Sequence, residues 1–214
     1  MRKFLAGKWA KVLVFVLSSW PLFFIVWRTL RGELTANPVE FYQHQTGDWT
    51  LRFLVFTLCI TPLRKVSNLP ELIRFRRMLG LFAFFYVCLH FLTYLGPDQS
   101  FSLSGMLDDV AKRPFITVGF AAFLLLIPLA LTSTAGWIRR LGGKRWQLLH
   151  RAIYAAAVLG VVHYYWLVKS DVRKPVFYGV LVGILLVWRI WSWASRKKAP
   201  SAATVTQARP ASSS

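Results

Sequence analysis

Three of the four histidines, His90, His150 and His163, fall within or at the end of strongly apolar stretches rather than in polar loops. An ionisable side chain kept at such depth is costly, and it tends to face a bundle interior, a cofactor or a conduction path. His90 and His163 each lie about six residues, roughly 9 Å at the helical rise, from the corresponding end of their stretches. Two imidazoles at one level on neighbouring helices suit a b-type haem, which needs a nitrogen ligand on either side of its iron and apolar aromatic walls. Phe84, Phe85, Tyr86, Phe91, Tyr94, Tyr164, Tyr165 and Trp166 are the candidates for those walls. A single membrane histidine serves as readily to hydrogen-bond a neighbouring helix. The shared depth of His90 and His163 is what favours metal ligation.

His150 stands apart. It precedes His163 by thirteen residues, roughly 20 Å along a helix and about 220° around it. The matching level on the stretch carrying His90 holds Arg76 and Arg77, not a second histidine. His150 therefore reads as a single metal ligand, a donor to another cofactor, or an interfacial histidine. Arg74, Arg76 and Arg77 gather near Trp146, His150 and Arg151; topology alone accounts for basic residues there, and guanidinium groups also bind phosphate or carboxylate in bidentate fashion. A flavin phosphate, haem propionates or anionic lipid would suit them. His44 reads as an ordinary exposed loop residue.

These residues need helices to position them. Of 214 residues, 56% are hydrophobic and 16% aromatic, more than a soluble domain of this size requires. Apolar runs fall near 10–28, 49–64, 78–96, 115–133, 150–168 and 175–194. Most approach the roughly 20 residues a helix needs to cross hydrocarbon, where every backbone polar group must be satisfied internally. The expectation is an all-α integral membrane bundle of six transmembrane helices over residues 1–198, followed by a disordered Ala-, Ser-, Thr- and Pro-rich tail over 199–214. The first run follows basic residues as a signal peptide does, yet it is long, contains Pro21 and has no convincing small-residue cleavage site, so it reads as a retained span.

The formal charge of +19 comes in short clusters between apolar runs, which argues against nucleic acid and for membrane topology. Eighteen basic residues fall on one side of the six spans and eight on the other, which predicts both termini in the cytoplasm. Arg52 is expected to snorkel outward. All eight carboxylates are read as lying outside the apolar cores, which disfavours a proton-coupled carrier. Cys59 and Cys88, inside apolar runs and without CxxC spacing, read as packing residues.

Several residue groups carry a family resemblance over about 10–194: Gly47, Trp49 and Arg52 leading to Thr61-Pro62; Arg77 with Leu79-Gly80-Leu81, Tyr86, His90 and Tyr94; Thr132-Ser133, Trp137 and Arg140-Leu141-Gly142; and Trp146, Leu149-His150-Arg151, Tyr154 and His163-Tyr164. With them the chain resembles the haem-binding membrane subunits of bacterial protein-methionine-sulfoxide reductase systems, the MsrQ or YedZ family, in the ferric-reductase-like transmembrane class. The resemblance implies haem b and FMN in a multi-pass protein of the bacterial inner membrane. It implies electrons taken from the quinone pool or a flavin reductase and passed to a periplasmic molybdenum-cofactor methionine sulfoxide reductase. On that reading the chain carries electrons and its partner reduces substrate. His90, His163, His150 and Arg77 are then the cofactor-binding candidates, the three histidines also the metal-ligating ones. The wider class often carries paired histidines on two helices, whereas this chain has one on its third run. The competing functions are a histidine-using small-molecule or metal-ion transporter, for which no internal repeat is visible, and a non-catalytic membrane scaffold.

Overall fold

In a computed structural model, which describes residues 2–168 and 170–198, the chain is helical and shows no strand among the described residues. Among the described residues nine α-helices follow in order: α1 (Arg2–Ala6), α2 (Lys8–Leu30), α3 (Pro38–Val66), α4 (Ile73–Thr93), α5 (Leu103–Lys112), α6 (Pro114–Leu131), α7 (Ala135–Leu149), α8 (Ala152–Leu167) and α9 (Arg173–Lys198). The expected tail over 199–214 lies outside the described residues.

Four helical segments, Lys8–Leu30, Pro70–Pro97, Pro114–Leu131 and Arg173–Ser195, are long and apolar enough to cross a membrane. The other two apolar runs are helical but differ from a simple span. The run at 49–64 is the second half of α3, a 29-residue helix that begins at Pro38, with the Asn37 side chain accepting from the Glu40 amide. Asparagine at the cap and proline in the first turn are a strong start signal, and they carry His44 into the helix rather than a loop. The run at 150–168 gives α8, an apolar helix of 16 residues.

Contacts fix the directions. Gly47 faces His90 while Gly80 faces Thr57, so α3 and α4 are antiparallel. Gly119 faces His163 and Ser133 faces His150, so α6 and α8 are antiparallel as well. Helix α9 lies parallel to α3 through three polar ties: Arg52 Nε to the Tyr178 hydroxyl at 3.2 Å, Arg189 Nη2 to Thr61 Oγ1 at 3.4 Å, and Lys65 Nζ to Ser192 Oγ at 2.5 Å. Arg52, expected to snorkel away, is thus held between two helices, its guanidinium 4.4 Å from the Trp49 ring.

Pro21 interrupts the hydrogen-bond ladder of α2, and the fully buried Tyr86 of α4 repairs it. Its hydroxyl accepts from the Leu22 amide and donates to the Ser18 carbonyl, both at 3.0 Å. A side chain inserted at a proline is a recognised way to open a helix without leaving polar groups orphaned in apolar surroundings. Tyr86 therefore serves as a bolt between α2 and α4, stacked on Phe53 at 5.2 Å, and not as a cavity wall.

Candidate haem site

His90 projects from α4 toward α3, and His163 from α8 toward α6. Their ring centroids are 6.1 Å apart, with ring planes at 76°. Two metal–imidazole bonds of about 2.0–2.1 Å each, plus the ring radii, come to about 6 Å for imidazoles on opposite sides of one metal ion. An edge-to-face pair of rings would also lie at this spacing. What separates the two cases is the hydrogen bonding.

His90 Nδ1 lies 3.1 Å from the Gln43 carbonyl oxygen, and His163 Nδ1 lies 2.7 Å from that of Phe115. A carbonyl can only accept, so each Nδ1 carries the proton. The lone pair of each ring is then on Nε2, which makes no protein hydrogen bond among the described residues. Metal-ligating histidines are commonly oriented in this way, through the nitrogen that does not bind the metal. Thr46 Oγ1 adds a contact to His90 Nδ1 at 3.3 Å.

The two cradles share one local design. Each carbonyl that receives Nδ1 is followed four residues later, one helical turn along the same face, by a glycine: Gln43 by Gly47, and Phe115 by Gly119. A Cβ on Gly47 would lie 3.2 Å from His90 Cε1, and one on Gly119 would lie 2.6 Å from His163 Nδ1. Both rings therefore rest on bare backbone. Gly47 was legible as part of a motif. Gly119 was not, because one glycine in an apolar run has no signature until the opposing ring is known.

Around the pair lies a cavity of about 580 Å³, within the usual range for cofactor pockets. It is lined by α3, α4, α6 and α8. Of the aromatic walls expected from sequence, Phe91, Tyr94 and Tyr164 line it; Phe115, Phe120 and Phe123 of α6 supply the rest. Phe84 stacks on Phe123 behind the wall, while Phe85, Tyr165 and Trp166 face outward. At the mouth stand Glu40, His44, Arg113 and Asp171. The Arg173 backbone amide and side chain hold the Asp171 carboxyl below its ordinary range.

One expectation about charge is overturned. Asp48, counted with the carboxylates outside the apolar cores, is only 9% exposed and lines the cavity. Its Oδ2 lies 3.7 Å from both Arg52 Nη2 and Lys174 Nζ. The second cation comes from α9, which no local reading of residues 45–52 could supply.

His150 is placed differently, at the far end of the α6–α8 pair. Its ring stacks on Trp146 at 3.8 Å, its Nδ1 is 3.0 Å from the Trp146 carbonyl oxygen, and its Nε2 is 3.4 Å from Ser133 Oγ. Of the paired arginines Arg76 is half-buried and acts on His150 electrostatically, whereas Arg77 is exposed. No cluster of three or more His, Cys, Asp or Glu side chains suited to a metal ion occurs among the described residues. An ion held by His90 and His163 would therefore need further ligands from a bound group, as a porphyrin supplies. The cavity, the paired Nε2 atoms and the glycine floors fit one.

Residues 46–161 match the family of ferric reductase like transmembrane components. The chain is 54% identical over 191 residues to the protein-methionine-sulfoxide reductase heme-binding subunit MsrQ of Herminiimonas arsenicoxydans, covering 88% of each chain. It is 48% identical to the MsrQ of Caulobacter vibrioides, over 84% of this chain and 85% of that one. This chain belongs to the MsrQ family. The MsrQ of Azospira oryzae is 52% identical over 84% of this chain and 78% of its own length. No solved structure matches. The matched ferric-reductase region of this MsrQ member holds both glycine floors, His90 and His150, and ends two residues before His163. Family membership and the four long apolar helices make it a multi-pass membrane protein.

Proposed function

We propose that this chain is the electron-carrying membrane subunit of a protein-methionine-sulfoxide reductase system, with a b-type haem held between His90 and His163. The carrying observation is the pair of imidazoles 6.1 Å apart, each with Nδ1 turned onto a backbone carbonyl. A haem bound there supplies reversible one-electron exchange between ferric and ferrous iron. Gln43 and Phe115 fix the tautomers, Gly47 and Gly119 let the rings seat, and Phe91, Phe120 and Phe123, which line the cavity, would keep water from a bound group.

The remainder of the proposal follows the charge pattern and the family. Six spans with both termini in the cytoplasm, supported by the bias of eighteen basic residues against eight, put the His90–His163 level near the outer surface of the bacterial inner membrane. Electrons then leave toward a periplasmic molybdenum-cofactor enzyme that reduces methionine sulfoxide. They arrive at the cytoplasmic end from the quinone pool or a flavin reductase. His150 and Arg77 are at that end, and we assign them to the reception of electrons: His150 beside a second cofactor or as its ligand, and Arg77 as the partner of an FMN phosphate.

The test is the haem content and visible spectrum of purified protein. The wild type should carry stoichiometric b-type haem, and His90→Ala and His163→Ala should insert in the membrane without it. Full haem in both variants would refute the assignment.

A further inference from the structure

Asp48 is a buried carboxylate that the proposed ligation does not use. It follows Gly47, the floor beneath the His90 ring, and it lies close enough to Tyr164, the residue after His163, to interact with its hydroxyl electrostatically; both line the cavity. It is thus one residue removed from each half of the site. Two cations share its Oδ2: Arg52, one turn along α3, and Lys174, at the start of α9, both at 3.7 Å. Both are ion pairs longer than a hydrogen bond, and Asp48 is the member of the three that lines the cavity. Arg52 is also anchored by Tyr178 and Trp49.

A fixed charge near a redox centre in an apolar surround acts through little screening. Oxidation leaves one more positive charge on the centre, so a carboxylate favours the oxidised state and a cation favours the reduced one. Of the three only the Asp48 side chain is buried, at 11% exposure, and a carboxylate taken out of water is costly compared with apolar packing at the same wall.

We propose, on the reading that His90 and His163 hold a haem iron, that Asp48 with Arg52 and Lys174 sets the reduction potential of that iron. Asp48 pulls it down and the two cations pull it up. The balance tunes the drop in potential between the electron donor and the partner that receives the electron.

Potentiometric titration of the haem absorption in full-length, haem-replete protein tests this. Asp48→Asn should raise the midpoint potential, and Arg52→Gln and Lys174→Gln should lower it, with haem content and the bis-imidazole spectrum unchanged. The Lys174→Gln shift should be the smallest and should shrink as salt is added, because that side chain is 67% exposed. A purely structural triad would give no shift, or shifts of one sign in all three variants, and either result overturns the inference. Should Asp48→Asn fail to accumulate, the exposed Lys174→Gln still decides: an unchanged potential there refutes the proposal. Wild-type protein without haem, or full haem in both His90→Ala and His163→Ala, would instead remove the ligation reading beneath it.

Discussion

The two ends of the α6–α8 pair hold the same residue type in opposite circumstances. At one end His163 sits on a bare glycine, spends Nδ1 on a carbonyl and leaves Nε2 toward a cavity of about 580 Å³. At the other, His150 is stacked on Trp146, with Nδ1 on a carbonyl and Nε2 beside the Ser133 hydroxyl. His163 has a second imidazole opposite it; His150 has the Trp146 ring. A histidine at membrane depth becomes a candidate ligand when its neighbours satisfy one nitrogen, withhold partners from the other and leave space beside it. Depth alone supplies none of these.

The contrast is broken most severely by exchanging histidines for alanine at each end. His90→Ala or His163→Ala should reduce bound haem to near zero in pyridine haemochrome assays, whereas His150→Ala should keep the haem at the cavity and slow reduction by the donor. Loss of half the iron from His150→Ala would make His150 a ligand of a second haem.

A smaller effect is expected from the floors. Gly119→Ala places a methyl where 2.6 Å separates it from His163 Nδ1, so the ring must move, and haem occupancy should fall several-fold. Gly183→Ala, which meets nothing within 4 Å, is the matched control and should leave occupancy unchanged.

Stability comes next. Tyr86→Phe strips the hydroxyl from the opened ladder of α2 and orphans the Leu22 amide and the Ser18 carbonyl, at a cost of about 1–3 kcal/mol, measurable as lowered thermal stability in detergent. The smallest change belongs to the His150 end. Trp146→Phe keeps an aromatic ring under His150 and loses the 2.9 Å hydrogen bond from Nε1 to the Thr132 carbonyl, worth about 0.5–1.5 kcal/mol, with the spectrum of the cavity haem unaltered.

Much of this was legible in the chain itself. Apolar runs with basic clusters between them gave the helices, and equal distances from the ends of two runs gave the level shared by His90 and His163, because helical rise is fixed by local geometry. The start of α3 at Asn37-Pro38 was missed, because the polar first half of that helix lacks the composition of a span. Phe115, Phe120 and Phe123 were unremarkable aromatics until α6 was known to face α8. Helices α5 and α7, lying between the apolar runs, likewise left little mark on a hydropathy reading.

The sequence by itself determined that helices form, where they are apolar and which histidines lie at one depth, since these depend on composition and on the rise per residue. Only the tertiary structure decided which carbonyl takes each Nδ1, which glycines lie under the rings, and that Asp48 is buried between Arg52 and Lys174. Those are contacts between side chains and backbones far apart in the chain. Their existence depends on helix rotation and pairing, which the packing of all the helices fixes together.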